Sequence, residues 1–294
     1  MPERDRGEGP PDDEATLRWV QALKAQGWGY YRAAFTHGRE LWEHALEAFR
    51  QAAALARETG NQRALVGVLS GEATVLRSTG TKEAIRRAVA LYEEEIALLK
   101  TLGLEKQVPE ALVNLALAYR DLATVEAAEA PAIEKGIEAC REALESAKKA
   151  DDPETQALAA CTVGDLCLVM ARLDLAEFRE QHLKAAMAFY GQAEKLWEGR
   201  DADGVALARL GLSEAYIALN ENLEGARDLI REVLEYYEGY SGPPVSGPVR
   251  YQIAQAKELL ARLLEAEGKP GEAAEARREA RSLLETLGFR PLEP

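Results

Sequence analysis

The chain has 294 residues, 47% hydrophobic and 6% aromatic, and its 36 Lys and Arg against 50 Asp and Glu leave a net charge of −14. That length exceeds one ordinary core and calls for two domains or an elongated repeat array. The acidic balance repels phosphate backbones and anionic lipid, so neither nucleic acid nor a membrane is an expected partner.

Residues 1–11 are rich in Gly, Pro and charge and read as a disordered acidic tail without the apolar centre of a signal peptide. No uninterrupted apolar run approaches the roughly 20 residues that span a bilayer, and a cytoplasmic location is expected. A helix starts near Asp13 and is expected to break at Gly27-Trp28-Gly29, because two glycines so close weaken it. Trp19, Trp28, Tyr30, Tyr31, Phe35, Trp42 and Phe49 place seven of the 19 aromatic residues in this first unit. Two roles fit them. One is a cap over the open end of the core; the other is a partner contact patch at Trp19, Trp28, Tyr30 and Tyr31, since Trp and Tyr are enriched at binding hot spots.

Beyond this unit apolar residues recur at three- and four-residue steps, and no segment sustains period-two alternation. Gly60 and Gly80 close helices, Pro131 and Pro153 open them, and Gly199, Gly239, Gly268 and Gly288 close later ones. Longer linkers are expected at 121–131 and 173–179. The stretch 239–248, dense in Gly and Pro, is expected to be non-helical, either a linker or a loop folding over a groove. The division that follows is a tail at 1–11, a helical array at 12–238, a loop at 239–248 and a final helix pair at 249–294.

Aligning the helical runs exposes an internal repeat. A small residue is followed four later by an apolar or aromatic one and three beyond that by another, usually small, residue, as in Ala45/Phe49/Ala52, Ala88/Tyr92/Glu95 and Gly136/Cys140/Ala143. Ala186/Tyr190/Ala193, Ala226/Ile230/Val233 and Ala273/Arg277/Ala280 continue it, with copies 40 to 50 residues apart. A second signature alternates with the first, in Leu115-Ala116…Tyr119, Val163-Gly164…Cys167, Leu212-Ser213…Tyr216 and Leu260-Ala261…Leu264. Small residues let helix backbones approach, and the large residue fills the gap. Repetition at this period indicates a helical solenoid, in which each pair buries its apolar stripe only by stacking on its neighbours. On these signatures the chain resembles the tetratricopeptide repeat (TPR) family, best over 111–119 with 133–144 and over 212–233. Its helices and linkers exceed the 34-residue pattern, so the resemblance is to the longer-repeat branch. The expected fold class is all-α, a right-handed α-α superhelix of about six helix pairs.

Chemistry is sparse. Cys140, Cys161 and Cys167 match neither a disulfide framework nor a metal motif and read as small buried hydrophobes. His37, Glu40 and His44 lie close together but lack an H-E-x-x-H frame or a further ligand. The run Glu93-Glu94-Glu95 reads as a solvated face. Gly268-Lys269 lacks the glycine-rich loop of a phosphate cradle, and no G-x-S-x-G or dinucleotide fingerprint occurs. No catalytic, cofactor or metal site is expected.

The TPR resemblance implies that the first helix of each pair lines a concave face. By register the groove holds Val113, Leu117 and Arg120, then Asp165 and Leu168 beside Cys161, then Leu210, Glu214 and Ile217, then Glu258 and Arg262 beside Glu265. The family's carboxylate clamp has no match here, since Val113, Leu117 and Leu210 occupy such positions. An apolar strip edged by charge would suit an amphipathic or extended partner segment. The expected function is therefore a non-enzymatic scaffold binding a peptide or helical segment of another protein. A ligand- or peptide-responsive regulator is the alternative, and an enzyme built on helical hairpins the remote one. Self-association through apolar array ends is also compatible, unless the aromatic unit or Leu283, Leu284, Leu287 and Phe289 cap them.

Overall fold

Helix ends are written into the chain at nearly every boundary. The Asn61 side chain accepts a hydrogen bond from the Ala64 amide at 3.0 Å, Thr81 caps Ala84, Asp201 caps Asp203, and Asn222 caps Gly225. Gly60, Gly80, Gly199 and Gly268 all take positive φ of 67° to 73°, the left-handed turn that ends a helix at least cost to glycine. In the computed structural model, which describes residues 13–126, 131–173, 178–239 and 247–286, these signals delimit twelve α-helices, with no strand among the described residues.

The helices form six consecutive pairs. They are α1 (Asp13–His37) with α2 (Leu41–Glu58), α3 (Gln62–Thr79) with α4 (Lys82–Thr101), and α5 (Val108–Val125) with α6 (Pro131–Lys149). Then follow α7 (Pro153–Leu173) with α8 (Arg179–Trp197), α9 (Ala202–Leu219) with α10 (Leu223–Glu238), and α11 (Gly247–Ala266) with α12 (Pro270–Thr286). Each helix packs on the next, as stacking of repeat units requires.

The repeat columns are the core. Phe49, Tyr92, Cys140, Tyr190 and Ile230, one from each of the first five even-numbered helices, are all at most 1% exposed. Glycine makes room for two of the largest. The Phe49 ring sits between Gly27 of α1 and Gly71 of α3, and the Tyr190 ring between Gly164 of α7 and Gly211 of α9. A Cβ on Gly27 or Gly164 would come within 2.8 Å of its ring. This corrects the expected break in the first helix. α1 runs unbroken through Gly27 and Gly29, because packing on Phe49 outweighs the modest helix penalty of glycine.

Other boundaries shift as well. Residues 121–125, expected as linker, complete α5: Leu122 and Ala123 are buried, and Asp121 is held by arginines. Gly247 and Pro248 form the first turn of α11 rather than the end of a loop. By length and composition α7 is apolar enough to cross a membrane, which a search for uninterrupted runs passes over. Its most apolar stretch is 67% buried within the array, the pattern of a core helix. Cys140, Cys161 and Cys167 are free and buried, and burial pushes the Cys140 thiol up to about 12 and Cys167 up to about 11. The tail at 1–11, residues 240–246 of the Gly/Pro-rich stretch, Leu287, Gly288 and Phe289 lie outside the described residues.

The odd-numbered helices make an inner layer. Each touches the next odd-numbered helix, and α11 also returns to touch α1, so the layer closes on itself. At its start, edge-to-face pairs link Trp28 to Tyr31 and Phe49, Tyr31 to Phe35, and Phe35 to Trp42. Trp19 stands apart from this cluster at 66% exposed.

Candidate functional site

The residues expected to line a groove divide into two sets. Val113, Leu168, Leu210 and Ile217 are buried between successive repeats, and Leu117 is half-buried against the core. The expected apolar strip is therefore not on the surface. Longer helices bring more of each inner helix against its neighbours, and these side chains fill that contact.

Arg120, Asp165, Glu214 and Arg262, by contrast, come together in ion pairs that bridge inner helices. Arg77 of α3 meets Asp121 at 2.9 Å, Arg120 meets Asp121 at 2.7 Å, and Arg120 also pairs with Asp165 of α7. The Tyr190 hydroxyl donates to the other oxygen of Asp165 at 2.7 Å. Farther along, Glu214 of α9 takes Arg172 of α7 and Arg262 of α11, each at 2.7 Å. Glu258 pairs with Arg277 of α12 at 3.1 Å. Burial would raise the Glu214 carboxyl, but Arg172 and Arg262 outweigh it and hold it below the usual carboxylate range. Burial likewise opposes the Arg120 charge, and Asp121 and Asp165 more than restore it. Burial pushes the Tyr251 hydroxyl of α11 up, with Arg120 opposing and Asp121 adding to the shift. The inner face thus carries an ionic ladder.

The aromatic residues expected as a contact patch are split by the fold. Trp28, Tyr30 and Tyr31 are half-buried, with Tyr30 against His44 and the Tyr31 hydroxyl 3.2 Å from that of Ser78. His37 ends α1, Glu40 precedes α2 and His44 packs on Tyr30. No three metal-ligating side chains converge among the described residues.

Sequence reasoning missed Glu95. Glu93 and Glu94 face outward, accepting from Tyr119 at 2.9 Å and Arg57 at 2.8 Å. Glu95 turns inward and is 6% exposed. It occupies the third repeat column, where the other copies have Ala or Val. Its Oε2 is buried without a hydrogen-bond partner. Burial pushes its carboxyl up to about 8, against the opposing pull of the Ser70 hydroxyl; Glu110 raises it further and Lys24 lowers it. The carboxyl lines a cavity of about 190 Å³ between α1, α3, α4 and α5. Lys24, Ser70, Gln107, Glu110 and Asn114 give the cavity its polar wall, and Trp28, Val66 and Ala111 its apolar one. The available signal was the odd acid in an alanine column.

No model of a known protein family matches the chain, and no curated protein matches it. Solved structures similar to it include a de novo designed helical repeat protein, 21% identical over 93% of this chain and 100% of that one, with a TM-score of 0.20. A circular tandem repeat protein with a novel repeat topology is 16% identical over 93% of this chain and 70% of that one, with a TM-score of 0.34. A filament-forming chain is 18% identical over 94% and 96%, with a TM-score of 0.20.

Proposed function

We propose that this chain is a non-enzymatic interaction scaffold of the longer-repeat tetratricopeptide type, which takes up a segment of a partner protein along its inner face. The ionic ladder from Arg77 to Arg262 carries the reading. Its rungs are half-exposed, with side chains of Arg120, Asp165 and Arg262 at 26%, 28% and 36%. Donors and acceptors therefore recur once per repeat, and a polar segment with both charges meets complementary groups along its length. In this reading the protein works in the cytoplasm without cofactor, nucleic acid or membrane.

The test is capture from native lysate with cross-linking mass spectrometry. Arg172→Gln is the informative variant, because Arg172 is largely exposed, the glutamine amide can still donate to Glu214, and Glu214 keeps Arg262. The scaffold reading expects cross-links on odd-numbered helices and loss of the partner in the variant at an unchanged melting temperature. Cross-links confined to the even-numbered helices, or unchanged retention, would count against it. The contact of α1 with α11 favours a second reading, a ligand-responsive regulator in which binding opens or tightens the closed inner layer. A ligand-dependent change in the radius of gyration by small-angle scattering is its signature.

A further inference from the structure

We propose that the cavity between α1, α3, α4 and α5 binds a small zwitterion, a free α-amino acid with an apolar side chain, whose ammonium meets Glu95 and whose carboxylate meets Lys24. The site is independent of the partner-segment reading.

Three observations converge on it. First, Glu95 breaks the repeat rule in the middle of the array. A carboxyl in an alanine column opposes the packing that stabilises every neighbouring unit, and such violations concentrate where function requires them. Second, the buried acid of the cavity has an oxygen without a hydrogen-bond partner, and an ammonium faces the same space. Buried carboxyl oxygens are rarely left without a partner, and a ligand carrying both charges would pair with Glu95 and with the half-buried Lys24 across the same space. Third, the Lys24 side chain brings its ammonium to the cavity wall. Its Nζ lies against Gly67 of α3, which lines the same cavity.

The chemistry of the walls selects the ligand class. A simple amine would satisfy Glu95 but set two ammonium groups facing each other, and a simple carboxylate would satisfy Lys24 but face the acids Glu95 and Glu110. A molecule carrying both groups pairs each with its opposite. The Ser70 hydroxyl and the Asn114 amide supply further hydrogen bonds, and Trp28, Val66 and Ala111 receive an apolar side chain. A volume of about 190 Å³ suits one small molecule.

Calorimetry on the full chain tests this with L-alanine, L-valine, L-leucine, L-methionine and L-phenylalanine as probes. The best binder is then compared with its carboxamide, which lacks the carboxylate, and with its deaminated acid, which lacks the ammonium. Both truncated forms are expected to bind at least about tenfold more weakly to the wild-type chain, a loss of about 1.4 kcal/mol each. Lys24→Met should erase the preference over the carboxamide, and Glu95→Gln the preference over the deaminated acid. Thermal melts of both variants separate these effects from misfolding, and the wild-type comparison needs neither variant. Glu95 is faced by Lys24, Ser70 and Glu110, and it must ionise to receive an ammonium. Wild-type affinity should therefore rise about tenfold between pH 6 and pH 7, and in Glu95→Gln it should stay flat. The proposal is overturned if no probe binds at about 10 mM. It is equally overturned if the carboxamide binds as tightly as the amino acid, or if binding survives both substitutions.

Discussion

Glu72 and Glu95 are two buried acids on adjacent helices, and the protein treats them in opposite ways. Glu72, with a side chain only 3% exposed, is held by Arg50 at 3.4 Å and Arg87 at 2.9 Å, whose own side chains reach solvent. Glu95 has no arginine and borders a cavity instead. The difference teaches what a repeat array tolerates. A charge can enter the stacked core where long basic side chains from neighbouring helices reach it, and otherwise only where packing has been left open. Arg277 shows a third solution. It stands in the large-residue column of the last repeat and pairs with Glu258 and Glu265 at the end of the array, where water is close.

Four experiments sharpen or break this contrast. The largest effect is expected from Ala193→Glu, which puts the Glu95 side chain in the same column of the fourth pair. Ala193 is 0% exposed, and the variant should lose about 5 kcal/mol of unfolding free energy in urea titration, or fail to fold. Tolerance within about 1 kcal/mol would mean that the column is not core. Next, Arg50→Met with Arg87→Met strips the partners from Glu72 and should cost about 3–5 kcal/mol in the same urea titration.

Third comes the pH dependence of the unmodified chain. Glu95 titrates near 8 when folded and near 4.5 when unfolded, so the folded state binds the extra proton between those values. Stability should accordingly fall as pH rises from about 5 to 8, by roughly 3 kcal/mol or more, and level off above. In Glu95→Gln that decline should be absent. A decline of equal size in both proteins would remove Glu95 as its source. The smallest effect belongs to Arg277→Met, expected to cost under about 1 kcal/mol because its pairs are partly solvated. A loss matching that of the Arg50 and Arg87 pair would show that the array end is drier than its exposure indicates.

Much of the architecture was legible in the residues. Six copies of a small–large–small column, helix ends at Gly60, Gly80, Gly199 and Gly268, and starts at Pro131 and Pro153 specify six helix pairs, because each rests on backbone geometry or local periodicity. The candidate site was less legible. Arg120, Asp165, Glu214 and Arg262 were identifiable by register as inner residues, but register does not say whether they face a partner or one another. The apolar residues beside them, Val113, Leu168, Leu210 and Ile217, read as an open strip when only one helix is considered. They are covered because α5, α7 and α9 stack closely.

By itself the sequence determined that this protein is a stack of helix pairs and which residues form its columns, since those depend on interactions within one or two turns of chain. Tertiary structure alone decided that Gly27 serves Phe49 rather than breaking a helix, that α11 returns to α1, and that Glu95 points into a cavity instead of toward water. Each of these depends on what a second or third helix places opposite the residue, and a one-dimensional pattern carries no record of that distance.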